Sequence, residues 1–148
     1  MADLRDLYQE MIIDHSRRPR NKREIADADH KAEGFNPLCG DRVTVYVKVE
    51  GDKATEVSFT GVGCSICTAS ASLMTEAAIG KTHAEMDALF DRFHEVVMGK
   101  VEPDSEKIGK LVGLAGVKEY PVRIKCATLP WHTLKNALDA KEDPVSTE

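Results

Sequence analysis

No stretch of this sequence supplies the roughly 20 consecutive apolar residues that cross a bilayer, so a transmembrane segment is not expected. The opening residues, Met1-Ala2-Asp3-Leu4-Arg5-Asp6, mix charges of both signs and have no apolar core before a small-residue cleavage site. They do not read as a signal peptide, and the expected location is the cytoplasm. Basic charge is also short: 20 Lys and Arg against 25 Asp and Glu leave a net charge of −5. This argues against nucleic acid, which is normally met by a basic face. The one basic cluster, Arg17-Arg18-Pro19-Arg20-Asn21-Lys22-Arg23, is short enough to be a solvated loop or a protein contact. Internal repeats and low-complexity tracts are absent. Cysteine is scarce, at four residues. In a reducing compartment such thiols point to metal binding or thiol chemistry rather than to a disulfide scaffold.

What is present describes an ordinary globular chain: 148 residues, 42% hydrophobic and 30% charged. That length suits one domain, expected over residues 1–140, with 141–148 as a disordered tail. Leu4, Leu7, Tyr8, Met11 and Ile12 form one helical stripe, with Asp3 available as its N-cap. Val43, Val45, Val47 and Val49 alternate with Thr44, Tyr46 and Lys48, the pattern of a half-buried strand. Gly51-Asp52 then turns the chain into a second strand carrying Val57 and Phe59, and a third strand ahead of Cys39 would complete a stable sheet. A helix is expected from Ser65 to Ile79, capped by Gly80, and Thr82-His83-Ala84-Glu85 is a capping box opening another. A short helix around Ile108, Leu111 and Leu114 follows. The last helix is expected to open between Cys126 and Thr128, with Pro130 in its first turn. The fold class is therefore α+β, a small three-stranded antiparallel sheet with helices on one face.

Three cysteines fall at structural junctions: Cys39 in the turn Asn36-Pro37-Leu38-Cys39-Gly40-Asp41, Cys64 after Gly61-Val62-Gly63, and Cys126 after Val122-Arg123-Ile124-Lys125. Backbone N–H groups at such junctions favour thiolate over thiol, and thiolates are both ligands and nucleophiles. With the Asp41 carboxylate they form a donor set of three sulfurs and one oxygen, compatible with tetrahedral zinc or with iron–sulfur ligation completed by sulfide. The plain alternative is that free cysteines simply pack, and the gaps from 39 to 64 and from 64 to 126 match no compact zinc motif. Asp41 has its own plain reading as a turn residue. Cys64-x-x-Cys67 lacks the βαβ context of a redox site, which favours a buried or auxiliary Cys67. None of the five histidines is assigned to the metal, and Arg123 is either an ordinary surface arginine or a partner for a thiolate or for Asp41.

Asp14-His15-Ser16-Arg17-Arg18-Pro19-Arg20-Asn21, the turn at 36–41, Gly61-Val62-Gly63-Cys64-Ser65-Ile66, Ala69-Ser70-Ala71-Ser72-Leu73-Met74 and Arg123-Ile124-Lys125-Cys126-Ala127-Thr128-Leu129 together resemble the IscU-like (NifU N-terminal-like) family of iron–sulfur cluster assembly proteins. The likeness runs over roughly residues 3 to 140. Lys125 stands where scaffold members of that family carry histidine, and the segment at about 85–117 is longer than theirs; both features are similar to the SufU-type branch. Cys67 departs from the family, where that position is usually serine. The resemblance implies an IscU/SufU-like fold and a zinc ion held by Cys39, Asp41, Cys64 and Cys126. It implies a sulfurtransferase in which Cys39 accepts persulfide sulfur from a pyridoxal-phosphate cysteine desulfurase of the SufS type, stimulates that enzyme, and passes sulfur to downstream iron–sulfur assembly components. In that branch a histidine of the desulfurase is thought to replace the nucleophilic cysteine on zinc. The alternative it implies is a scaffold on which a [2Fe–2S] cluster is built and handed on.

Overall fold

The structure is a computed structural model that describes residues 4–139 and 145–146. Helix α1 (Leu4–Arg17) leads to strands β1 (His30–Asn36), β2 (Asp41–Glu50) and β3 (Lys53–Val62). Helices α2 (Ser65–Ala78), α3 (His83–Val97) and α4 (Ser105–Ile108) follow, then a 3₁₀ segment (Gly109–Glu119), α5 (Pro121–Leu138) and a two-residue strand β4 (Val145–Ser146). The sheet order is β3-β2-β1-β4, with β1, β2 and β3 antiparallel and β4 added in parallel to β1. The three-stranded antiparallel sheet expected from the sequence is thus present, with one short parallel addition. Of the expected tail, residues 141–144 and 147–148 lie outside the described residues, as does the suggested cap Asp3. Among the described residues no helix is long and apolar enough to cross a membrane.

The valine alternation does what its period demands: Val43, Val45 and Val47 are buried, and Val57 and Phe59 of β3 join them on the same face. Burial of each such side chain is worth about 1.5–3 kcal/mol. Helix α5 covers β1 and β2, and α2 covers β3 and packs on α5. Trp131 of α5 stacks on Phe93 and Phe90 of α3, with ring centroids 4.7 and 6.0 Å away. Its indole N–H is satisfied by Ser70 Oγ of α2 at 3.1 Å, so one aromatic ties three helices together. Helix α1 lies close against the 3₁₀ segment, where a Cβ on Gly113 or Gly116 would meet Met11 or Tyr8 at 2.7 and 2.8 Å.

One boundary differs from expectation. Helix α5 opens at Pro121 rather than near Cys126, and Pro130 sits inside it rather than in its first turn. Pro121, with its fixed φ and no N–H to waste, is the start signal, and burial of Cys126, Ala127, Leu129 and Trp131 on the sheet carries the helix through the second proline. Cys126 is therefore a buried mid-helix residue, not one presented at a helix N-terminus.

Candidate metal centre

The turn between β1 and β2 is built by its own backbone and by Asn36. Cys39 N donates to Asn36 O at 3.3 Å, Leu38 N donates to Asn36 Oδ1 at 3.2 Å, and Gly40 turns the chain with φ of 72°. Asn36 and Asp41 close the β1–β2 ladder as opposite partners. Both side chains are buried, and Asn36 Nδ2 lies 3.5 Å from Asp41 Oδ2 and 3.6 Å from Cys126 Sγ. The other carboxylate oxygen, Asp41 Oδ1, accepts the Cys64 N–H at 2.8 Å. Cys64 is in turn the N-cap of α2, its sulfur accepting the N–H of Cys67 at 3.4 Å.

These contacts gather three of the four expected residues, from a turn, a strand start and a helix interior, and leave Cys64 of the helix cap beside them. The donor atoms of Cys39, Asp41 and Cys126 all lie within 4.8 Å of one another, and Cys39 Sγ is 3.2 Å from Cys126 Sγ. Cys64 stands outside this group and adjoins it through its N–H to Asp41 Oδ1. The nearby Cys126 thiol, helped by the Cys67 N–H and opposed by burial, brings the Cys64 thiol down to about 6. Cys64 as neighbour, together with burial, pushes the Cys126 thiol in the opposite direction, above the ordinary range. Arg123, one helical turn before Cys126, directs Nη1 at Cys39 Sγ from 3.6 Å. Arg123 is thus an exposed surface arginine, as one sequence reading had it, whose side chain reaches the Cys39 sulfur. Cys67 is buried, and burial raises its thiol above the ordinary range. The histidines have other neighbours: His15 Nδ1 lies 2.8 Å from Ser72 Oγ, and His132 packs edge-on against Phe90.

A metal ion fits this donor set. Asp41 is 1% exposed, yet among the described residues no Lys, Arg or His forms an ion pair with it. A buried carboxylate facing sulfur donors, without a cationic partner, is a place where a cation replaces lost hydration. Tetrahedral zinc thiolates hold their sulfurs about 3.8 Å apart, so the Cys39–Cys126 pair, at 3.2 Å, would need to open by about 0.6 Å. Asn36 is the site residue that sequence reasoning passed over. Its signal was an Asx turn two residues before Leu38, but its contact with Cys126 spans the chain and leaves no local trace.

The sequence model described as NifU-like N terminal domain matches residues 7–127. The chain belongs to that family. Among relatives of this NifU-like domain, the iron–sulfur cluster assembly scaffold protein IscU of Streptococcus pyogenes serotype M1 is 42% identical over 138 residues, covering 93% of this chain and 86% of the relative. The zinc-dependent sulfurtransferase SufU of Bacillus subtilis (strain 168) is 41% identical over 142 residues, covering 96% and 95%. The crystal structure of FiSufU from Fervidobacterium islandicum AW-1 superposes with a TM-score of 0.84 at 39% identity, covering 89% of this chain and 96% of that one. The IscU/SufU-like fold of this NifU-like domain follows from that match.

Proposed function

We propose that the chain is an iron–sulfur cluster assembly protein of the cytoplasm that works as a zinc-dependent sulfurtransferase, taking persulfide sulfur on Cys39 from a SufS-type cysteine desulfurase and passing it to downstream assembly components. The observation that carries this reading is the buried, cation-free Asp41 carboxylate set among the sulfurs of Cys39, Cys64 and Cys126. Those four residues would hold the zinc. When bound, zinc supplies a charge that keeps thiols deprotonated and protects them from oxidation.

The four ligands differ in what they are free to do. Asp41 and Cys126 are buried and Cys39 and Cys64 only partly so, but Cys64 is tied down as the N-cap of α2 and by its N–H to Asp41, whereas Cys39 sits on a turn with open space around Gly40. Cys39 is thus the ligand that can leave. Arg123 places Nη1 3.6 Å from its sulfur. The Cys39 thiolate attacks the terminal sulfur of the donor persulfide; a new S–S bond forms, the donor's S–S bond breaks, and the donor cysteine departs as thiolate with the electron pair. No net electron is gained or lost, and a downstream acceptor thiolate repeats the same exchange on Cys39.

A macromolecular donor needs somewhere to dock, and the rim of the site is apolar: Leu38, Val62 and Val122 are 66%, 70% and 64% exposed. Beside them a groove of about 340 Å³ is lined by Tyr8, Ile12, Ile13, Ile66, Tyr120 and Arg123. Exposed apolar surface clustered around a reactive thiol supports a protein partner there. A second reading, assembly of a [2Fe–2S] cluster on the same cysteines, is favoured by the scaffold name of the relative from Streptococcus pyogenes. Zinc content and cysteine desulfurase turnover, measured together, separate the two. About one zinc per chain with faster turnover, abolished by Cys39→Ala while the zinc-free chain keeps its fold, supports the relay. A stable reconstituted cluster with no effect on desulfurase rate supports the scaffold instead.

A further inference from the structure

Asn36 stands where the strand, the turn and the helix that supply the donor set meet, and the relay leaves it without a role. We infer that Asn36 is the positioning residue of the centre: its side-chain N–H groups hold Asp41 and Cys126 in place as fixed ligands, while its oxygens anchor the turn on which Cys39 moves. This rests on the zinc reading of the site and deepens it.

The placement follows from the fold. Asn36 ends β1 and faces Asp41, the first residue of β2, as its ladder partner, and Cys126 reaches it from α5. The side chain is 0% exposed, so each of its polar atoms needs a partner to replace the water it has lost. Leu38 N donates to Oδ1 at 3.2 Å, and a backbone N–H can meet only the oxygen of the amide. That settles which end is which: Nδ2 is the atom turned to Asp41 Oδ2 at 3.5 Å and to Cys126 Sγ at 3.6 Å. Two hydrogens thus face two acceptors, one oxygen and one sulfur. The carboxylate contact is longer than a usual N–H···O bond, whereas Asp41 Oδ1 takes the Cys64 N–H at 2.8 Å. Oδ2 is therefore the oxygen with capacity left for a cation.

The turn alone does not account for an asparagine. An Asx turn uses only the side-chain oxygen, and serine or aspartate supplies one as well. Neither of those brings an N–H to a carboxylate and a sulfur, and an amide used at one end only would bury its other end unpaired. Both ends have a use here, and the result is a division within the donor set. Asp41 and Cys126 are held from behind by Nδ2, and an N–H aimed at sulfur favours its thiolate form as a ligand. The N–H groups of Cys39 and Leu38 are both anchored on Asn36, the first through its backbone oxygen at 3.3 Å and the second through Oδ1. When Cys39 turns toward a donor persulfide, the residue that anchors its turn keeps the other two ligands where they are.

The full chain is tested as wild type, as Asn36→Ser, which keeps a turn acceptor, and as Asn36→Ala, which does not. Zinc retention is read by competition with a chelator, ligand geometry by the d–d absorption of the cobalt(II)-loaded chain, and the structural share by urea unfolding without metal. Asn36→Ser is expected to unfold at higher urea than Asn36→Ala, while both variants hold zinc about 10- to 100-fold less tightly than wild type and shift the cobalt bands. Wild-type zinc retention with an unshifted cobalt spectrum in Asn36→Ser would reduce Asn36 to a turn residue and overturn the inference while the zinc reading stands. A measurement on wild type alone covers variants that fail to fold. In ¹⁵N-resolved NMR spectra the Asn36 side-chain amide protons should move downfield on zinc loading, as the sulfur they face becomes a metal-bound thiolate. An Asn36 amide signal unchanged by bound zinc overturns the inference as well. A wild-type chain that retains neither zinc nor cobalt overturns the zinc reading and the inference with it.

Discussion

Helix α5 serves two regions with opposite character, and Pro130 lies between them. Its first half presents Arg123 and Cys126 to a cluster in which a buried carboxylate with no ion-pair partner among the described residues lies against the sulfurs of Cys39 and Cys126. Its second half presents Trp131 and Leu134 to a core in which the polar atoms are paired: the indole N–H bonds Ser70 Oγ, and Ser70 Oγ donates to Ala127 O at 2.5 Å. One half is frustrated and the other is satisfied. The difference teaches where stability and function separate in a small domain, since the satisfied half can hold the helix in place while the frustrated half keeps a charge deficit that a metal would fill.

The largest effect should come from breaking the satisfied half. Trp131 is 1% exposed and bridges α2, α3 and α5, so Trp131→Ala removes a stacked aromatic and leaves Ser70 with a lost partner. It should cost about 3–5 kcal/mol in urea unfolding of the metal-free chain. A loss below about 1 kcal/mol would show that the core does not hold α5 as described.

Breaking the frustrated half should act in the other direction. Asp41→Asn keeps an oxygen to accept the Cys64 N–H but removes the buried charge. The metal-free chain is expected to be as stable as wild type or more so, while zinc affinity falls about 10- to 100-fold. Parallel denaturation and chelator titrations check both signs. A large destabilisation of the metal-free chain would mean that the carboxylate has a structural rather than a metal-holding role, and the contrast between the two halves of α5 would collapse.

The satisfied region was also the legible one. The β2–β3 hairpin follows from valines two apart and a glycine turn. The α3 start follows from Thr82 and Glu85, whose reciprocal bonds of 3.1 and 3.0 Å are local by construction. The four candidate residues are also singled out by residue type and by the junction positions the sequence suggests. What sequence could not supply was their surroundings. Asp41 is buried because α2 and α5 close over the end of the sheet, and Asn36 meets Cys126 through tertiary packing alone. The start of α5 was misplaced for a related reason: Pro130 suggests a first turn only until the packing that overrides an internal proline is known.

The smallest effect sharpens the comparison with a polar group buried among paired partners. His15 of α1 is 1% exposed, with Nδ1 2.8 Å from Ser72 Oγ and Nε2 3.8 Å from Glu76 Oε1. Ser72 Oγ also accepts the Arg20 N–H at 2.8 Å, so it serves two buried partners. Burial is the main cause that lowers the His15 pKa, joined by the positive charge of Arg20 and opposed by Glu76 and Asp14. The folded chain therefore takes up this proton at lower pH than the unfolded chain, whose histidine titrates near 6.5. His15 contributes its full stability above about pH 6.5 and loses it progressively as pH falls toward the folded pKa. His132 is lowered for the same leading reason and shares the window, so the readout is the difference between wild type and His15→Gln. That difference in unfolding midpoint should be constant above about pH 7 and shrink below about pH 6. A difference independent of pH would mean that the His15–Ser72 contact is no more protected from protonation than an exposed histidine, and that pairing alone does not distinguish the satisfied region from the site.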